Sequence, residues 1–143
     1  MAYDVAQLLK MTQQELDDLF TASEAGPIPD GQADGTAIIA PGTVYSTQIA
    51  TLINHFAWQG KIFDAKAGYL KNRILAFGIN AIVAKVYKAP SWLDSKECIV
   101  LDYSETSLVA HWIRDEIRLI SPGLYLGKVY FEKKRLIDFA LKF

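Results

Sequence analysis

The sequence predicts a mainly β (α+β) fold, an antiparallel meander closing into a small barrel behind one or two N-terminal helices. Three observations carry this. Helical periodicity is confined to residues 1–59, β-branched and aromatic residues dominate from Gly60 onward, and turn signals recur at short intervals in that second part. A meander of six or seven strands curls on itself to remove its edges.

The elements follow in chain order. Asp4 opens a short turn carrying Leu8 and Leu9. Thr12-Gln13-Gln14-Glu15 has the form of a capping box, in which the threonine oxygen caps the third amide and the glutamate reaches back to the first. A helix therefore begins there, with Leu16, Leu19 and Phe20 on one stripe, and Gly26-Pro27 ends it. "AGPIPDGQADG", residues 25–35, is dense in turn formers and predicts a long surface loop. "TAIIAPG" predicts a short strand. Residues 46–57, with Ile49, Leu52, Ile53 and Phe56 on one side, predict a second helix running into "WQGKIF". Strands are expected near residues 60–64, 69–77, 81–88, 97–103, 112–120, 125–131 and 135–142.

A length of 143 residues suits one domain, 1–143, and 51% apolar residues exclude a disordered chain. With 15 basic and 16 acidic residues the net charge is −1, which argues against nucleic acid or an anionic membrane as partner. No leader pattern and no stretch of roughly 18 uncharged apolar residues is visible, so the cytoplasm is the expected location. The single cysteine, Cys98, beside Ile99, Val100 and Leu101, reads as a buried strand thiol in a reducing compartment. His55 and His111 have no carboxylate or cysteine at ligand spacing. "DGQADG", with Asp30, Gln32 and Asp34, lacks the glutamate a calcium loop needs, since Pro41 stands at its twelfth position. Neither a phosphate-cradling loop nor a nucleophile elbow is present, so no cofactor and no metal are expected.

The chemistry concentrates in "HWIRDEIRLISPGLYLGKVYF", residues 111–131. Alternation along a strand puts Trp112, Arg114, Glu116, Arg118 and Ile120 on one face, and Ile113, Asp115, Ile117 and Leu119 on the other. A tight turn over Ser121–Leu124 would set Ile120 opposite Tyr125, Arg118 opposite Gly127, Glu116 opposite Val129 and Arg114 opposite Phe131. A second at Lys133-Lys134 would set Val129 opposite Asp138 and Gly127 opposite Ala140. Arg118 would then stand beside two nearly absent side chains, the setting of a ligand cavity. The rival reading is a ladder of solvated ion pairs on the outside. A one-residue slip in register would exchange the two faces.

"FAWQGKIF", "LDYSET", "IRDEIR" and "GLYLGKVYF", in that order, resemble the motif order of the GXWXG domain family and its lipocalin-like relatives, through Trp58, Gly60, Lys61, Asp102, Tyr103, Arg118, Leu126 and Gly127. The resemblance implies a calycin-type barrel holding a small apolar or amphipathic molecule, and supplies no catalytic residues.

The leading expectation is an interior site for a small amphipathic, anionic ligand. Its body would lie against Trp112, Val129, Phe131 and Ile120, and its head at Arg118 or Arg114, with Glu116, Tyr125, Gly127 and Asp138 completing the lining. The rivals are an acid–base enzyme of the same barrel type, an isomerase, dehydratase or decarboxylase using Glu116 or Asp115 as base, and a ligand-free module that forms a homodimer through an exposed strand or its apolar loop.

Overall fold

A computed structural model describes residues 2–39, 58–74, 79–107 and 110–143; the helix expected at residues 46–57 lies outside them. Among the described residues the chain forms two short helices, α1 (Val5–Leu9) and α2 (Gln13–Ala22). Eight strands follow: β1 (Gly31–Ile38), β2 (Trp58–Asp64), β3 (Tyr69–Ile74), β4 (Ile79–Pro90), β5 (Glu97–Asp102), β6 (Ile113–Ser121), β7 (Leu124–Phe131) and β8 (Lys134–Lys142). They form a closed antiparallel barrel in sequence order, with β1 pairing both β2 and β8.

Both helices start on capping boxes, Asp4 with Gln7 and Thr12 with Glu15. Leu8, Leu16 and Phe20 are buried against the outer faces of the strands, where Cys98, Val100, Leu124, Leu126 and Ala140 meet them. Burial pushes the Cys98 thiol up to about 12, so it stays protonated.

Two expectations about the chain path are corrected. Residues 31–35 are not loop but the first half of β1, because Gly31–Asp34 is in register with Phe63–Gly60 and Asp34–Ile38 with Lys142–Asp138. Closure needs a strand that joins β2 to β8, and this segment supplies it; Gln32 and Asp34 lie in that strand rather than in a calcium loop. Gly60 allows the close approach of β2 to β1. Its φ is +143°, and a Cβ there would lie 2.1 Å from the Ala33 carbonyl oxygen.

The second correction is register. The hairpin turns on Pro122-Gly123, but Ile120 is bulged, so Leu119 pairs Tyr125 and Arg118 pairs Leu126, not Gly127. The next turn falls on Glu132-Lys133, both at positive φ, and a second register shift between Val129 and Tyr130 sets Gly127 opposite Phe139 rather than Ala140. One extra residue at the bulge moves every partner to the other face.

The odd-numbered residues of β6 point inward, and the even-numbered charged set points out, beneath the helices. The inner core contains Phe63, Leu70, Ala84, Val86, Ile99, Leu101, Ile117, Tyr125, Phe139 and Leu141. Residues 24–30 close the end of the barrel where β6 finishes. The Tyr125 hydroxyl donates to the Pro27 carbonyl at 2.7 Å, the Leu119 amide donates to Ala25 at 3.2 Å, and Ile28 packs on the core.

Candidate functional site: a polar cluster across the barrel

Among the described residues, four polar side chains cluster on the inner face in the half of the barrel where β6 begins. Strand alternation places each there. Lys61 shares a face with Phe63 on β2, Asn72 with Leu70 on β3, and Asp115 with Ile117 on β6, while Tyr103 follows Leu101 just beyond β5. Lys61 and Asn72 are register partners, and they reach across the lumen to Tyr103 and Asp115. All four are at most 6% exposed.

Hydrogen bonds join the four groups. Lys61 Nζ donates to Asn72 Oδ1 at 2.7 Å and to the Tyr103 hydroxyl at 2.8 Å, and pairs with Asp115 Oδ2 at 3.2 Å. Asn72 Nδ2 donates to the same hydroxyl at 3.0 Å, which in turn donates to Asp115 Oδ2 at 3.2 Å. Each of the three contacts offers an oxygen to an ammonium proton, the arrangement an ion pair with Asp115 uses. The geometry is that of an ion pair. Burial nonetheless pulls the Lys61 ammonium below its ordinary 10.5 and pushes the Asp115 carboxyl above 3.8, opposed by their mutual attraction and, for Asp115, by the Tyr103 hydrogen bond. Burial, and then the Asp115 charge, hold the Tyr103 phenol well above 10.0.

One atom is unmatched: Asp115 Oδ1 is buried without a hydrogen-bond partner. Apolar side chains stand beside it on β6 and β7. Val129 is the register partner of Asp115, and Ile113, two residues along the same face, pairs Phe131. Phe131 and its neighbour Trp112, ring centroids 6.2 Å apart, are 37% and 50% exposed, which puts them at the rim.

The outward face of β6 is structural, which corrects the expected arginine site. Arg118 is fully buried, but under α2. Its NH1 donates to the Phe20 carbonyl and to Asp94, its NH2 to Asp94 and the Lys96 carbonyl, and its Nε to the Glu97 carbonyl, at 2.7–3.1 Å. Five N–H groups meet five acceptors, so the guanidinium caps the end of α2 and clamps the β4–β5 turn instead of awaiting an anion. Arg114 lies over the Trp92 ring at 4.3 Å and donates to Glu116, whose carboxylate also accepts from the Ser91 hydroxyl and the Trp92 amide. Asp138 belongs to a seam beneath α2, where Lys128 Nζ bridges it (3.0 Å) to Asp17 (2.7 Å) and Gln13 reaches both acids.

Gly127 does face the interior, yet it leaves no void. The Phe139 ring lies against it, and a Cβ at Gly127 would meet that ring at 2.2 Å. Tyr125 is inside too, at the plugged end. Of the expected site residues, then, the structure gathers Asp115, Val129, Phe131 and Trp112 at one end of the barrel. Arg114, Glu116, Arg118 and Asp138 lie on its outside, and Tyr125 and Gly127 deeper in its packed part.

Lys61, Asn72 and Tyr103 were not expected as site residues, although Lys61 and Tyr103 lie within the motifs of the GXWXG resemblance. The signal that finds them is a polar residue on the apolar parity of a strand, as in Gly60-Lys61-Ile62-Phe63.

Fold and site together define a small closed barrel of eight up-and-down strands with a charged, hydrogen-bonded cluster inside it. No family model matches the chain, and no curated protein matches it. Among solved structures it is similar to that of a protein from Thermomonospora curvata, at 14% identity and a TM-score of 0.66, covering 96% of this chain and 94% of that one. At that identity the likeness concerns the fold alone.

Proposed function

We propose that the chain is a lipocalin-like cytoplasmic protein that binds a small amphipathic molecule inside the barrel. The polar end lies at Lys61, Asn72, Tyr103 and Asp115, and the apolar body runs past Val129 and Ile113 toward Phe131 and Trp112. A barrel of about eight strands is just wide enough to be filled by side chains or to hold one small ligand. The observation that carries the reading is the unmatched Asp115 Oδ1: an orphaned buried acceptor is costly and rare in a folded protein unless something else satisfies it.

N-phenyl-1-naphthylamine fluorescence tests this. Saturable 1:1 enhancement is expected in the wild type and in Trp92→Ala, and its loss in Val129→Trp, which fills the lumen beside Asp115. Enhancement that survives Val129→Trp and disappears in Trp92→Ala would place the apolar site on the outside instead.

An acid–base enzyme remains the second reading, favoured by the raised Asp115 carboxyl against the lowered Lys61 ammonium. It requires Asp115→Asn to abolish solvent exchange of the α-protons of bound 2-octanone while leaving that ketone's binding intact.

A further inference from the structure

Resting on the interior-binding reading, we infer that the head group is a neutral hydroxyl, an alcohol or phenol, that donates its proton to Asp115 Oδ1. The expected anionic head depended on an inward arginine, and Arg118 is committed to Asp94 and three carbonyls outside the barrel. Among the described residues Lys61 is the cation inside, and it already faces the Asp115 carboxylate at 3.2 Å. The pair sums to zero charge. A carboxylate entering beside it would add an uncompensated buried negative charge and compete with Asp115 for the same ammonium; an alkylammonium would leave the surplus positive. A hydroxyl adds no charge.

The hydrogen-bond pattern narrows the class further. Asp115 Oδ2 accepts from both Lys61 and Tyr103, while Oδ1, equally buried, accepts from no group. The missing piece is a donor, so ethers, ketones and esters, which only accept, do not complete it. The apolar lining from Val129 to Phe131 suits a hydrocarbon or aryl body. Asp138 Oδ1, the other such oxygen among the described residues, carries no similar inference. It sits in the seam between α2 and β8, where Gln13 and Lys128 occupy its side of the sheet.

The test uses the full chain and three probes with one body: 1-octanol, methyl octyl ether and octanoate, their affinities measured by displacement of N-phenyl-1-naphthylamine and by calorimetry. In the wild type 1-octanol should bind roughly tenfold or more tightly than either rival, the cost of leaving one buried acceptor unpaired. In Asp115→Asn the amide can turn an N–H toward the ligand, so the alcohol-to-ether ratio should collapse to about one. An ether or octanoate that equals or exceeds 1-octanol in the wild type overturns the hydroxyl assignment and leaves interior binding standing. If no probe binds and N-phenyl-1-naphthylamine gives no saturable signal, the interior-binding reading itself fails. Should Asp115→Asn not fold, the wild-type ranking already decides.

Discussion

Arg118→Ala separates an architectural arginine from a ligand-binding one. The substitution deletes a fully buried guanidinium, strands the carbonyls of Phe20, Lys96 and Glu97, and leaves Asp94 without its bidentate partner. Removing one member of a buried ion pair costs about 3–5 kcal/mol. The Asp94 side chain is 13% exposed, so water recovers part of its charge, and the lower end of that range, about 3 kcal/mol, is expected. For a chain of this size that lowers Tm by roughly 12 °C. Equilibrium urea unfolding followed by tryptophan fluorescence gives the number. A cycle with Asp94→Ala should show a coupling of about 2 kcal/mol, since each single variant already removes the contact. A ligand-anchoring arginine in an empty site would behave in the opposite way, its loss being neutral or stabilising. A cost below about 1 kcal/mol with additive singles would refute the clamp.

Gly127→Ala drives a methyl into the buried Phe139 ring and should cost about 1–3 kcal/mol in the same urea assay; a neutral result would mean the ring has room to move. Lys133→Gly relieves a left-handed residue in the β7–β8 turn and should stabilise by about 0.5 kcal/mol, the strain of a Cβ there outweighing the added freedom of glycine in the unfolded chain. Its hydrogen bonds with Arg118 hold the Asp94 carboxyl below 3.8, so its stabilising contribution is complete above that value and is lost as pH falls through the lower folded value. Asp94→Asn should accordingly be less stable at pH 7 and lose less stability than the wild type on acidification, read from urea midpoints across the acid range.

The barrel and α2 were legible because their signals are local: a capping box at Thr12, alternation on each strand, turn residues between them; of α1 only a short turn opened by Asp4 was expected. Thr12-Gln-Gln-Glu15 needs no tertiary information to start a helix. The inward direction of β6 was not legible. It depends on a single bulged residue, Ile120, and nothing in Leu119-Ile120-Ser121 marks a bulge, since the extra residue is accommodated by the Pro122-Gly123 turn and the Tyr3 amide on the Ser121 hydroxyl. Composition misled as well. Arg114, Glu116 and Arg118 look like a lining when flanked by apolar residues, yet each is satisfied by loops and helix ends far away in sequence, at Pro90, Ser91, Asp94 and Phe20. Asp115 was visible as the odd charge on an apolar face. Its partners Lys61, Asn72 and Tyr103 come together only when the sheet closes.

The interior cluster as the place of binding is tested most directly by chemical-shift mapping of isotope-labelled protein titrated with 1-octanol, including the side-chain signals of Lys61, Asn72 and Tyr103. The largest, saturable changes should fall on those groups and on Asp115 and Val129, with α2 and the Arg118 clamp unmoved. Changes confined to Trp92, Arg114 and the outer surface, with the interior signals fixed at saturation, would contradict it.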